Sequence, residues 1–179
     1  EANTSTLWTY LVYAMGWLTG VRLEYVVLAT ALVLSTAAVV LAMLGTGRLY
    51  RWRLRGGGGA TFLLVPAGMF VYIAVPPARD FATSGLESGL VICWIALLWL
   101  LLVRWATAPG TPSAPSVLAT AFVAGLGPLV RPELALLALP ALLMLFLAAG
   151  LTWRVRIAMV AVAGAVPVAY QIWRMGYYG

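Results

Sequence analysis

The sequence has no histidine, no lysine, one cysteine and only five acidic residues in 179. Without histidine there is no imidazole proton relay and no histidine metal site. The single Cys93 lies inside an apolar run, so the chain can form neither an internal disulfide framework nor a cysteine metal cluster. Such a cysteine is expected to pack as a small hydrophobe. Charged residues make up 9% of the chain, against about 25% in soluble domains. So little charge cannot cover a water-facing surface, and lipid must be the main solvent. The net charge is +6, carried entirely by arginines. They stand at the ends of apolar runs rather than along a polar stripe, which excludes a nucleic-acid-binding face. The motifs GxSxG, HExxH and CxxC are absent. Gly56–Gly59 follows a basic stretch but lacks the Gly-Lys-Ser/Thr ending of a phosphate-binding loop and reads as a flexible turn.

What is present is apolar. Hydrophobic residues make up 64% of the sequence, and the mean hydropathy is +1.00. A spanning helix needs about 20 mostly apolar residues. Six stretches approach this: Leu23–Leu44, Ala60–Val75, Gly89–Trp105, Val117–Val130, Leu134–Leu151 and Ile157–Trp173. Pro66, Pro140 and Pro167 fall inside them, which lipid-embedded helices tolerate when neighbours satisfy the freed carbonyls. Ahead of the first run, residues 5–19 carry Trp8, Tyr10, Tyr13 and Trp17, the composition of a helix in the membrane interface, with Ser5 or Thr6 as its cap. The expected fold is therefore all-α, a polytopic transmembrane helix bundle of about six spans plus one interfacial amphipathic helix. Residues 1–179 are expected to form part of a single transmembrane domain of a longer membrane protein.

Charge sets the orientation. The segments after the first, third and fifth runs hold Arg48, Arg51, Arg53, Arg55, Arg104, Arg154 and Arg156 and no acid. By the positive-inside rule this face is cytoplasmic. The opposite face holds Arg22, Arg79, Arg131 and Arg174 with all five acids, Glu1, Glu24, Asp80, Glu87 and Glu133. Six spans put both ends of the chain on that outer face.

Three clusters on the outer face could carry chemistry. In the first, Arg79 and Asp80 precede Ser84 and Glu87. If helical, Asp80, Ser84 and Glu87 share one face; equally, Ser84 and Glu87 fit a capping box, and Asp80 pairs with Arg79. The second is Arg131-Pro132-Glu133. Pro132 and Glu133 suit a helix start, whereas Arg131 brings a cation to the wrong helix end unless an anion sits over it. Glu133, two residues away, is expected to point elsewhere. The third is Trp173-Arg174-Met175-Gly176-Tyr177-Tyr178, either an aromatic-belt anchor or a phosphate clamp flanked by rings that stack on a sugar. Gly125 and Gly127 are expected to let helices approach closely.

These clusters, with Glu1–Thr9, Ala82–Gly89, Arg131–Leu134 and Arg174–Gly179 in this order, resemble the membrane part of a GT-C glycosyltransferase. More narrowly, they resemble the AftB-like terminal arabinofuranosyltransferases of mycobacteria and other actinobacteria. The resemblance runs over the whole chain. It implies transfer of a sugar, arabinofuranose, from a polyprenyl-phosphate donor to a cell-envelope glycan, the arabinan of the envelope. Transfer would occur on the external side of the cytoplasmic membrane. It makes Arg79, Asp80, Glu87, Arg131, Glu133, Arg174, Tyr177 and Tyr178 the substrate-binding candidates, with Asp80 and Glu87 also candidate catalytic groups. The superfamily's usual catalytic acid is expected upstream of Glu1, with a first helix; later helices and a soluble domain are expected downstream. The chain alone is then not expected to be active. A divalent cation is compatible with such chemistry, but no metal site is visible. Three alternatives stay open: a polyprenyl-phosphate-mannose-dependent mannosyltransferase, an envelope-lipid transporter or flippase, and a structural membrane subunit.

Overall fold

A computed structural model of the chain describes residues 5–54, 68, 70, 74–77, 80, 85–111 and 113–178, without side chains at 51–54 and 178. Among these residues the secondary structure is helical, with no strand. In chain order the helices are α1 (Thr6–Thr19), α2 (Leu23–Leu54), α3 (Ser88–Ala106), α4 (Ala114–Val130), α5 (Ala135–Leu147) and α6 (Trp153–Tyr178), with a 3-10 turn, Pro132–Leu134, ahead of α5. Three helical segments are long and apolar enough to cross a membrane: Leu23–Tyr50, Ser88–Ala106 and Trp153–Tyr177. α4 and α5 are apolar but shorter. The expected second span, Ala60–Val75, lies almost wholly outside the described residues. The chain divides into two compact units, Ser5–Thr107 and the residues from Ala108 onward.

In the N-terminal unit, α1 ends where Gly20 turns left-handed at φ 63° and its N–H donates to Gly16 O at 3.0 Å. Ser5 occupies the N-cap position, but its side chain makes no capping bond. Instead Thr9 Oγ1 donates to Ser5 O at 3.2 Å. Tyr10, Tyr13 and Trp17 stay exposed, as an interfacial helix requires. The main contact of the unit is between α2 and α3. Without a hydrophobic driving force between helices in lipid, close van der Waals packing of small residues must hold them. The seam is built that way. A Cβ on Gly89 would lie 2.8 Å from Ala31 O, and one on Gly45 would lie 2.7 Å from Trp99 Nε1. Residue numbers rise together along both helices, so α2 and α3 run parallel. Arg22 and Glu24 therefore share one end with Glu87, and Arg48 shares the other with Arg104.

That second end is tied by a polar contact. Arg48 Nε donates to Thr107 Oγ1 at 2.9 Å, and Thr107 Oγ1 donates to Val103 O at 2.7 Å. A cation thus meets the negative end of the α3 dipole. α2 is longer than the sequence suggests. Residues 47–54, expected in a loop, continue the helix. Gly45 and Gly47 look like breakers but are buried, and Gly45 is where Trp99 packs.

In the C-terminal unit α4 packs on both α5 and α6. Gly125 lies against Ala163 O so closely that a Cβ has no room. α5 ends at Leu147, earlier than the expected Leu151, because the chain turns through Ala148 to Gly150, whose φ is 82°. α6 starts at Trp153 rather than Ile157 and runs on to Tyr178, so Arg154 and Arg156 sit in its first turn. α5 leads from the end of α4 back to the start of α6. α4 and α6 therefore run in the same direction.

Candidate functional site

Asp80 and Glu87 belong to the N-terminal unit; Arg131, Glu133, Arg174 and Tyr177 belong to the C-terminal one. Arg79 and the side chain of Tyr178 lie outside the described residues.

Glu87 is the N-cap of α3, with φ −66° and ψ 2°, and its carbonyl accepts from Val91 N–H at 3.0 Å. Its carboxylate makes no capping bond to the helix. The expected capping box is therefore not formed: the helix starts at Ser88, not after Ser84, so Glu87 is not at the third helical position. Asp80 and Glu87 also do not share a continuous helical face. Gly85, at φ 76°, turns the backbone left-handed between them. Asp80 is exposed and Glu87 half-buried, beside the first turns of α2, where a Cβ on Gly85 would lie 3.0 Å from Val27 Cγ1.

The Arg131 cluster also differs from expectation. Arg131 Nε and Glu133 Oε2 are 3.6 Å apart. On one helix residues two apart face different ways, but Arg131 is the C-cap of α4, extended at φ −153° and ψ 140°, and Pro132–Leu134 form a 3-10 turn. Arg131 N–H still donates to Gly127 O at 2.9 Å, closing α4, while Arg131 O accepts from Leu134 N–H at 3.0 Å, opening the next turn. The side chains are 43% and 68% exposed, although the Arg131 Nε itself is buried.

Arg174 is exposed near the end of α6 among three rings one helical turn apart. Tyr170 and Trp173 have centroids 6.0 Å apart and tilted by 32°; Trp173 and Tyr177 stack at 5.4 Å and 19°. Because α4 and α6 are parallel, Arg131, Glu133, Arg174 and Tyr177 are at the same end of the unit. Counted from the Gly125–Ala163 contact, Arg131 lies about 9 Å and Arg174 about 16 Å along their helices. That end offers two guanidinium groups, one carboxylate and an aromatic stack. A guanidinium fork can bind phosphate by two parallel hydrogen bonds. Among the described residues, no three His, Cys, Asp or Glu side chains come together to hold a metal ion.

No family model matches the chain, and no solved structure matches it. The chain is 58% identical over 182 aligned residues to a terminal beta-(1->2)-arabinofuranosyltransferase of Mycobacterium tuberculosis. It is 45% identical over 195 residues to the protein of the same name from Corynebacterium glutamicum. Each alignment takes in 100% of this chain. The chain is similar throughout to terminal arabinofuranosyltransferases. It spans 28% of the length of the first relative and 27% of the second. All three polar clusters fall within the stretch similar to these arabinofuranosyltransferases.

Proposed function

We propose that this chain is part of a single transmembrane domain of a membrane arabinofuranosyltransferase. The observation that carries this reading is similarity over the whole chain, at 58% identity, to a protein with that named activity. The donor is a polyprenyl-phosphate-linked arabinofuranose, the acceptor is an envelope arabinan, and transfer takes place at the external face of the cytoplasmic membrane. The charge distribution supports that side. The acids stand at the starts of α2 and α3 and at the α4–α5 junction, whereas Arg48, Arg104, Arg154 and Arg156 stand at the opposite helix ends.

In this reading Arg131 and Arg174 hold the donor phosphate. An acceptor hydroxyl attacks the anomeric carbon, the bond from that carbon to the phosphate oxygen breaks, and the phosphate leaves with the charge. Guanidinium groups stabilise the charge as it develops. Glu87, Asp80 and Glu133 bind sugar hydroxyls or accept the acceptor's proton; Tyr177 and Tyr178 stack on the sugar. Arg79 is a further substrate-binding candidate. A transporter reading is disfavoured because its ionisable groups would line a pathway at mid-membrane, and here they stand at helix ends.

The test is transfer by the full-length protein in proteoliposomes. It should use decaprenylphosphoryl-arabinofuranose and extend an arabinan oligosaccharide by a terminal arabinofuranose. Transfer from the corresponding mannose donor instead would favour the mannosyltransferase reading, and no transfer from either would leave the transporter or subunit readings.

A further inference from the structure

α4 packs on both α5 and α6, but α5 and α6 scarcely meet each other. The gap is a cleft of about 530 Å³ with α4 as its floor. Its walls are apolar, with Leu139, Leu142 and Leu143 on one side and Val160, Gly164 and Pro167 on the other. Leu139, Leu143 and Val160 are exposed, so the cleft is open along its side. From Ala135 to Phe146 the α5 wall extends about 16 Å. That is one leaflet's share of a hydrocarbon core about 30 Å thick.

At one end of this cleft a cation lies against a lining ring. Phe146 lines it, Trp153 meets Phe146 edge-on at 6.1 Å, and the Arg156 guanidinium lies 5.5 Å from the Phe146 ring centroid. Arg156 Nη2 donates to Ala148 O at 3.2 Å, which takes one of the five N–H donors of a guanidinium. Arg154 is exposed two residues earlier. No acid occurs anywhere from Leu134 to Gly179. An apolar groove thus ends beside one cation, Arg156, with no anion in the same stretch of chain.

We infer that this cleft binds an anionic glycerophospholipid of the surrounding leaflet. One acyl chain lies between α5 and α6, and the phosphate rests on Arg156; Arg154, two residues earlier on the same helix, faces another way. Basic pockets between membrane helices recognise acidic headgroups in this way. A choline or ethanolamine headgroup would instead bring a second cation to Arg156. The site is at the end of the unit opposite Arg131 and Arg174, so it stands independently of the transferase reading.

The experiment is native mass spectrometry of the full-length protein, released from micelles holding equal amounts of phosphatidylglycerol and phosphatidylcholine. The expected result is one retained phosphatidylglycerol and little phosphatidylcholine. Arg156→Gln should lower that retention about tenfold, and Arg156→Lys should keep much of it. Gly164→Leu should lower retention of both lipids by filling the slot. A Cβ at Gly164 meets only Val168 Cγ2 at 3.9 Å, so the position has room for the start of a side chain. The comparison of lipid classes on the wild-type protein depends on no variant folding. Equal retention of the two lipids, no retention by the wild type, or unchanged retention in both Arg156→Gln and Gly164→Leu would overturn the inference. So would displacement by decaprenyl phosphate, which would assign the cleft to a donor lipid.

Discussion

Arg131 and Glu133 form an ion pair of 3.6 Å although only Pro132 separates them. The pair exists because the chain leaves α4 in an extended conformation and enters a 3-10 turn at once. Both side chains are substantially exposed, so the pair contributes about 0–1 kcal/mol to stability. Its value lies in orientation: the carboxylate stands 3.6 Å from the Arg131 Nε, an atom that is itself buried, and helps to aim the guanidinium.

Glu133→Gln should therefore leave the unfolding temperature of the full-length protein nearly unchanged, within about 1 kcal/mol, while raising KM for the lipid-linked donor. Thermal unfolding in detergent and steady-state transfer kinetics on the same preparation check this. A large loss of stability with unchanged KM would show that Glu133 serves the fold alone.

Gly125 has no room for a side chain against Ala163 O, whereas Gly164, one residue further along α6, borders open space. Gly125→Leu should destabilise the protein by about 1–3 kcal/mol or more through overpacking. Gly164→Ala should be nearly neutral or slightly stabilising. Equal effects of the two substitutions on the unfolding temperature would contradict the described α4–α6 contact.

The buried hydroxyl of Thr107 accepts from Arg48 and donates to Val103 O. Thr107→Val keeps the shape and removes both bonds. A buried hydrogen bond to a charged group contributes about 1.5–3 kcal/mol, so a destabilisation of this order is expected. Arg48→Ala should be no worse in the Thr107→Val background, since the bond is already gone. Additive losses in that double-mutant cycle would mean the two residues act separately.

Orientation can be read by labelling. In a Cys93→Ala background, Leu86→Cys ahead of α3 should react with a membrane-impermeant thiol reagent on intact cells. Pro109→Cys, beyond the other end of α3, should react only after permeabilisation. The reverse pattern would invert the topology and place the acidic helix ends inside.

Much of this was legible in the sequence because long apolar runs have few solutions in lipid. The all-helical class, the short helix ahead of the first span and the separation of acidic from basic helix ends follow from run length and charge, and the close approach at Gly125 from its missing side chain. What was not legible depends on tertiary context. The first apolar run ends at Leu44, yet the helix continues to Leu54, with Gly45 packed against Trp99 of α3. Ser84 and Glu87 have capping-box spacing, but a left-handed Gly85 puts the helix start at Ser88. The Arg131–Glu133 pair needs an extended C-cap that no periodicity rule supplies. The cleft between α5 and α6 follows from two helices diverging, which their compositions do not reveal.

The most direct test of the central claim is sugar transfer from a polyprenyl-phosphate donor by full-length protein carrying Arg131→Lys, Arg174→Lys or both. Lysine keeps the charge but loses the planar fork. A charge-assisted hydrogen bond is worth about 1.5–3 kcal/mol, so each single variant should lose roughly ten- to a hundred-fold in kcat/KM at normal expression. The double variant should lose more. Near wild-type transfer by all three would contradict the account and leave the two arginines as interface anchors.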